Sequence, residues 1–377
     1  MWWFSSPKII FGNDSLDFIR RFGKSLVITD ENLLKVGVVE KVTSKLREYE
    51  VFDKVEIDPS YEVVYKAVKY AKRYKPDCII GVGGGSSLDV AKSVRLMYDN
   101  PEVKIEEVTP WSELNVKTEL VLIPTTSGSG SEASNAVVLT KKDESRKIAL
   151  INPVFMADYA IVDPEIVKEL PKKVAAFTGL DALSHAVDAY VSAWKNDFAD
   201  GLCIQACKLL FKYLPRAYKN RKDTKAVEKV HNAATLAGLA IGSSQAGLSH
   251  AIGHSMAMFH IPHGFACGVA LPYTIRYYSK FVKEHYNDLA HHLGLDDVES
   301  LINKIVELIT SLETPTNFKE LLERYRINEE RFLNELDALV YNASMDNTIV
   351  TLVEIPSEED LKKIFLDAYY GKINPVN

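Results

Sequence analysis

Short β-rich runs alternate with helical patterns between residues 25 and 165, and after Asp163-Pro164 the alternation stops. The runs are 25–29 (SLVIT), 77–82 (DCIIGV), 120–124 (LVLIP) and 159–162 (YAIV), and each ends at a polar or glycine-bearing turn. Alternation of this kind builds βα units around a mostly parallel sheet. In open α/β sheets ligands bind beyond the carboxyl ends of the strands, so the residues after each run become the first candidates for a site. Between the runs, residues 60–74 place Val63, Val64, Ala67, Val68 and Ala71 at helical spacing, the pattern of an amphipathic packing helix. From Pro164 onward nearly every segment reads as helix, with examples at 175–194, 199–218, 224–243, 247–258 and 360–370. The expectation is an α/β part joined to an all-α part, with the boundary near Pro171.

Two parts suit the length, since 377 residues exceed the usual size of one domain. Hydrophobic residues make up 47% and charged residues 25%, as in a packed globular protein. The net charge of -6 argues against nucleic acid, whose binders carry concentrated basic faces, and in favour of a small-molecule partner. The start, MWWFSSPKIIFG, reads as neither a signal peptide nor a membrane anchor, and no apolar run is long enough to span a bilayer. Cys78, Cys203, Cys207 and Cys267 form no CxxC pair and are too few for a disulfide framework, so the expected location is the cytoplasm. Cys203 and Cys207 share a helix face and read as small buried residues.

Residues 81–92, GVGGGSSLDVAK, follow a buried-strand pattern and open a helical one. Successive glycines let backbone amides approach a pyrophosphate, and the helix that begins near Ser86 aims free N–H groups at it. The stretch is neither the GxGxxG fingerprint nor a Walker loop, and a tight strand-to-helix turn without a ligand is the competing reading. A second polar turn at 125–132 (TTSGSGSE) would lie beside the first, either as part of a nucleotide site or as a flexible loop. Asp30 ends the first run, where a carboxylate can bind a ribose 2'-hydroxyl and repel a 2'-phosphate, which favours NAD over NADP; the alternative is that it caps the next helix.

Asp181 and His185 are four apart in the helical stretch 178–190, TGLDALSHAVDAY, and so share a face. Four of the nine histidines fall within residues 250–263, HAIGHSMAMFHIPH. His250 and His254 are again four apart, and His263 stands between Pro262 and Gly264, as on a turn. Three imidazoles and a carboxylate suit iron, zinc or nickel better than magnesium or calcium. Such an ion retains net positive charge and can act as a Lewis acid toward an alcohol or carbonyl oxygen.

Together these segments resemble the iron-containing (group III) alcohol dehydrogenase family. The likeness runs from Phe11-Gly12 through the glycine turn, the 124–132 loop and Asp163-Pro164 to the histidine helices. GLDALSHAVDAY matches the family's GxDAxxHAxEAY pattern, and HAIGHSMAMFHIPHG its HxxxHxxxxxxxxPHG segment. The resemblance implies an N-terminal Rossmann-like domain at 1–170 and a helical metal-binding catalytic domain at 171–377, the dehydroquinate synthase-like fold, with a cleft between them. It implies Asp181, His185, His250 and His263 as ligands of Fe2+, with Zn2+ or Ni2+ as other occupants, and His254 as a catalytic histidine near the nicotinamide. For NAD(H) it implies Asp30, Gly83, Gly84, Gly85, Ser86, Asp89, Thr125, Thr126, Ser129 and Lys147. A homodimer is also implied. Two departures stand out: the His254 to His263 segment is one residue shorter than in lactaldehyde or propanediol reductases, and DNTIVTLVEIP around Asp346 replaces a common asparagine-proline-arginine triplet. No substrate is therefore carried over from those relatives.

The expected activity is metal-dependent, NAD(H)-linked interconversion of a primary alcohol or diol and its aldehyde or ketone, with His254 passing the proton directly or through ribose hydroxyls or water. Rivals on the same fold are a glycerol dehydrogenase and enzymes like dehydroquinate synthase or glycerol-phosphate dehydrogenase; the last two take phosphorylated substrates. Residues 179–192 and 247–268 contain no Lys or Arg, which counts against a phosphate-bearing substrate. A non-catalytic nucleotide or metal sensor is the rival of another class.

Overall fold

The computed structural model describes residues 4–141 and 146–373, so residues 1–3 of the opening stretch lie outside the described part. The chain divides into two compact units, Met1–Leu170 and Pro171–Asn377.

The first unit runs β1 (Lys8–Phe11), β2 (Lys24–Ile28), α1 (Glu31–Lys35), α2 (Val38–Thr43), β3 (Glu48–Phe52), α3 (Tyr61–Tyr74), β4 (Cys78–Gly83) and α4 (Gly85–Asp99). It continues with β5 (Glu119–Pro124), β6 (Ala136–Lys141), β7 (Arg146–Ile151), β8 (Tyr159–Val162) and α5 (Pro164–Val167). Six strands form a parallel sheet in the order β1-β8-β5-β4-β2-β3, and β6 and β7 pair as an antiparallel hairpin. Successive residues of a strand face opposite sides, and the apolar runs obey this. Leu26, Ile28, Ile79, Leu120 and Leu122 pack against α3 and α4, whereas Val27, Ile80, Val82, Val121 and Ile123 pack against the 3-10 helix Ser15–Arg21 and α2. Burial on both faces explains why the central strands are apolar without alternation. The chain leaves β2 outward to β3 and returns to β4 on the other side, so the strand order reverses between β2 and β4. That reversal opens a crevice at the carboxyl ends of those two strands, where Asp30 and Gly84 follow.

The second unit is helical: α6 (Lys172–Tyr190), α7 (Asp197–Lys219), α8 (Thr224–Ser244), α9 (Leu248–Ser255), α10 (His263–His292), α11 (Val298–Ser311), α12 (Phe318–Glu323), α13 (Glu329–Ser344) and α14 (Glu358–Tyr370). Helix α6 is buried continuously from Thr178 to Tyr190, as expected of a central helix, and α7, α8, α9 and α10 pack around it. Among the described residues no helix is long and apolar enough to cross a membrane.

Candidate metal centre and nucleotide turn

In the second unit, Asp181 and His185 stand one turn apart on α6, and both are buried. Gly247 precedes α9, which carries His250 in its first turn and His254 in its last. Pro262, whose ψ of 128° is non-helical, ends the preceding turn and makes His263 the first residue of α10. The carboxylate Oδ1 of Asp181 lies 3.8 Å from Nε2 of His250 and 3.6 Å from Nε2 of His263. Donor atoms of Asp181, His250, His263 and also Cys267 all lie within 4.8 Å of one another. His185 sits beside this group, its ring stacked on that of His250 at 4.2 Å.

The ring of His250 is oriented from behind. Its Nδ1 lies 2.9 Å from Oδ2 of Asp188, and the same oxygen accepts from the Gly247 amide at 3.0 Å and the Ser249 hydroxyl at 2.7 Å. A carboxylate partner makes Nδ1 the protonated nitrogen, which leaves the Nε2 lone pair directed at Asp181. Burial opposes charge on His250, but the bond and charge of Asp188, with Asp181 and Asp346 behind it, raise its pKa. His250 is 2% exposed, and its Nε2 has no hydrogen-bond partner among the described residues. A buried acceptor in that state costs about 1–3 kcal/mol, and a cation seated among these donors offsets it.

Separations fit such an ion as well. Two donors about 2.0–2.2 Å from one tetrahedral centre stand roughly 3.3–3.6 Å apart, close to the 3.6 and 3.8 Å found here. Imidazole nitrogens with one carboxylate are a donor set for iron or zinc, so the residues fit the metal that the sequence leads one to expect.

His254 is turned by a second carboxylate. Its Nδ1 lies 2.9 Å from Oδ2 of Asp346, and its ring stacks on His263 at 4.8 Å. Burial alone would raise the Asp346 pKa, but His254 and two bonds from Thr348 hold it down at about 2. His260 is exposed and closes the 3-10 turn Met256–Phe259 with a left-handed φ of 54°, a backbone role.

In the first unit the two polar turns meet. The Thr125 amide donates to the Gly83 carbonyl at 2.9 Å, and a Cβ on Gly84 would lie 3.5 Å from the side chain of Thr126. One on Gly85 would approach Ser129 to 3.1 Å. Gly83 has φ 157°, and a Cβ there would fall 2.5 Å from the Ser87 side chain, so no side chain fits at the mouth of the turn. Gly84 caps α4, whose first amides, from Gly85 and Ser86 onward, face the turn. A helix N-terminus flanked by glycines and hydroxyls is a fitting cradle for a pyrophosphate.

Three expected cofactor residues are committed within the chain itself. Asp30 caps α1, and Oδ1 accepts the Asn32 and Leu33 amides at 2.9 and 3.2 Å; both caps fall on one oxygen. Asp89 is buried and accepts from Ser131 Oγ at 2.5 Å and the Val138 amide at 2.8 Å, so it braces the 125–132 loop and the hairpin against α4 instead of lining the turn. Its neighbour Lys92 is fully buried, binds the Ser134 and Ala136 carbonyls, and is pulled down to about 8 by burial. Lys147 pairs with Asp58 at 2.7 Å.

Sequence reasoning assigned no role to Asp188, Cys267 or Asp346. The first two carried a usable signal: Asp188 is seven residues after Asp181, and Cys267 four after His263, so each shares a helix face with a candidate ligand. Asp346 lies 92 residues from His254 in sequence and carried none.

Known proteins resemble the chain over nearly its whole length. The family profile for iron-containing alcohol dehydrogenase matches residues 6–164, and that for the C-terminal part of the Fe-containing alcohol dehydrogenase family matches residues 175–369. A bifunctional aldehyde-alcohol dehydrogenase of Escherichia coli is 34% identical over 99% of this chain and 47% of its own length, so the chain spans about half of that relative. An NADPH-dependent butanol dehydrogenase of Clostridium saccharobutylicum is 34% identical over 98% of both chains. An iron-containing alcohol dehydrogenase of Thermococcus thioreducens superposes with a TM-score of 0.89 at 30% identity, covering 99% of this chain and 100% of that one.

Proposed function

The chain belongs to the iron-containing alcohol dehydrogenase family, and from that premise we propose that it is a metal-dependent, NAD(H)-linked oxidoreductase interconverting a primary alcohol or diol with its aldehyde or ketone. The observation that carries the reading is the cluster of buried Asp181, buried His250 and half-buried His263 with His250 Nε2 directed into it. In this reading Asp181, His185, His250 and His263 hold Fe2+ or Zn2+, and residues 1–170 hold the dinucleotide at Gly83, Gly84, Gly85, Ser86, Thr125, Thr126 and Ser129. When bound, the ion supplies a Lewis acid for the reacting oxygen and the nicotinamide supplies or accepts the hydride.

The protein's own contribution is positional. Asp188 fixes the tautomer of His250, and Asp346 fixes that of His254, whose Nε2 is then available to carry a proton between the site and solvent. The glycine turn and the N-terminus of α4 bind and orient the pyrophosphate. Oδ2 of Asp30, which the helix cap does not use, supports NAD(H) over NADP(H) by accepting from a ribose 2'-hydroxyl. The absence of Lys and Arg from 179–192 and 247–268 supports an unphosphorylated substrate. None of the four cysteines forms a disulfide, which supports a reducing compartment such as the cytoplasm, and the edge position of β1 supports a homodimer.

The test is an anaerobic NADH-oxidation assay over aldehydes and ketones, on protein stripped with chelator and reloaded separately with ferrous iron or zinc. Activity that returns with metal and is absent from His263→Ala is the expected result. Dinucleotide binding without reduction of any carbonyl under either metal refutes the reading.

A further inference from the structure

We propose that Cys267 supplies a sulfur ligand to the metal ion, making the centre a mixed oxygen, nitrogen and sulfur site. The proposal rests on the metal assignment above and deepens it.

Cys267 follows His263 by one turn of α10, so both side chains leave the helix on the same face. Its Sγ lies 3.3 Å from Nε2 of His263 and joins Asp181, His250 and His263 in the group whose donors are all within 4.8 Å. A nitrogen about 2.0–2.1 Å and a sulfur about 2.3 Å from one ion stand roughly 3.1 Å apart at a right angle and roughly 3.5 Å at the tetrahedral angle, a range that admits a five-coordinate centre. The observed separation therefore needs no rearrangement of the helix. Cys267 is fully buried, and the backbone of α9 is notched to admit it: a Cβ on Gly253 would fall 2.3 Å from Sγ and 3.2 Å from the Cys267 amide nitrogen. The notch lies on the helix that carries His250, three residues further along. A second observation is independent of the thiol. His250 Nε2, on a ring 2% exposed, is aimed into the same group with its other nitrogen held by Asp188. An ion that satisfies this lone pair and the Asp181 carboxylate stands within bonding reach of the sulfur. Cys78 lies on β4, and Cys203 and Cys207 lie on α7; among the described residues only Cys267 joins a donor group.

A sulfur donor has a chemical consequence. Thiolate ligands favour zinc and other soft ions, so the site should discriminate more strongly for zinc over ferrous iron than imidazole and carboxylate alone allow.

The experiment is to load the full-length protein with Co2+ and record its absorption spectrum beside those of Cys267→Ser and Cys203→Ser. Visible ligand-field bands report the ion among the donors, and an intense near-ultraviolet sulfur-to-cobalt band reports the thiolate. The expected result is stoichiometric cobalt in all three, with the sulfur band present in the parent and Cys203→Ser and absent from Cys267→Ser. Should Cys267→Ser fail to fold, X-ray absorption of the zinc-loaded parent decides, with a sulfur shell at about 2.3 Å expected. Stoichiometric cobalt with ligand-field bands but no sulfur band, or a band that persists in Cys267→Ser, overturns the proposal and leaves the metal assignment standing. Failure to bind cobalt at all, with no difference between the parent and His250→Ala, overturns the metal assignment and the proposal together.

Discussion

Replacing Asp188 by Asn separates orientation of the metal site from its donor set, because the substitution keeps size while it removes the charge and turns one acceptor oxygen into an N–H donor. One oxygen of Asp188 accepts three buried donors: the Gly247 amide, the Ser249 hydroxyl and Nδ1 of His250. Hydrogen bonds to a charged acceptor contribute about 1.5–3 kcal/mol each and neutral ones about 0.5–1.5. Losing about 1 kcal/mol on each of three bonds lowers stability by about 3 kcal/mol if the terms add. The effect on the ion is separate. An amide can present N–H to Nδ1, which transfers the imidazole proton to Nε2 and removes the lone pair from the donor group. Loss of such a partner lowers metal affinity about 10–100-fold, or about 1.4–2.8 kcal/mol. Zinc affinity is read by competition with a chromophoric chelator, and stability by urea denaturation of the metal-free protein. Unchanged zinc affinity in a folded Asp188→Asn variant would refute the argument that this carboxylate sets the tautomer of His250. Unchanged urea stability would refute its role as the clamp on the start of α9.

Two further outcomes follow from burial. In Gly83→Ala the new methyl falls 2.5 Å from Ser87, so the turn must open at a cost of about 1–3 kcal/mol; NADH affinity measured by fluorescence titration should fall while zinc content stays unchanged. His231 is 1% exposed, and burial with the Arg221 charge depresses its pKa to about 3, whereas the unfolded chain titrates near 6.5. The stability that comes from keeping this ring neutral is complete above about pH 6.5 and is lost as pH falls toward 3, roughly 2 kcal/mol at pH 5. Urea denaturation at pH 7 and pH 5 should show that loss in the parent and a smaller one in His231→Gln.

What could be read from the sequence was decided by how local each signal is. The central strands β4, β5 and β8 were legible because burial on both faces makes them apolar throughout. Strand β3, EYEVF, has one neighbour only and keeps two glutamates, so its pattern resembles a loop. The hairpin of β6 and β7 lies in the stretch between two recognised strands and was not anticipated. Histidine density pointed to α9 and to His263, which was expected on a turn and instead opens α10, yet density says nothing about which nitrogen faces the donor group. That choice belongs to Asp188 and Asp346, which act from other elements.

Asp89 shows what spacing leaves open. The family resemblance implies it as a cofactor residue, and α4 carries residue 89 a full turn inward, where the Ser131 hydroxyl and the Val138 amide are its donors. Its buried charge is tolerated because Lys92 stands 3.7 Å away on the next turn and is itself anchored to the Ser134 and Ala136 carbonyls. The pair thereby ties the glycine turn to the loop after β5. In the proposed reading, the cradle at Gly83 is therefore braced by two charges that a bound phosphate need never touch, and spacing along the chain reports their proximity to the turn without reporting which way they point.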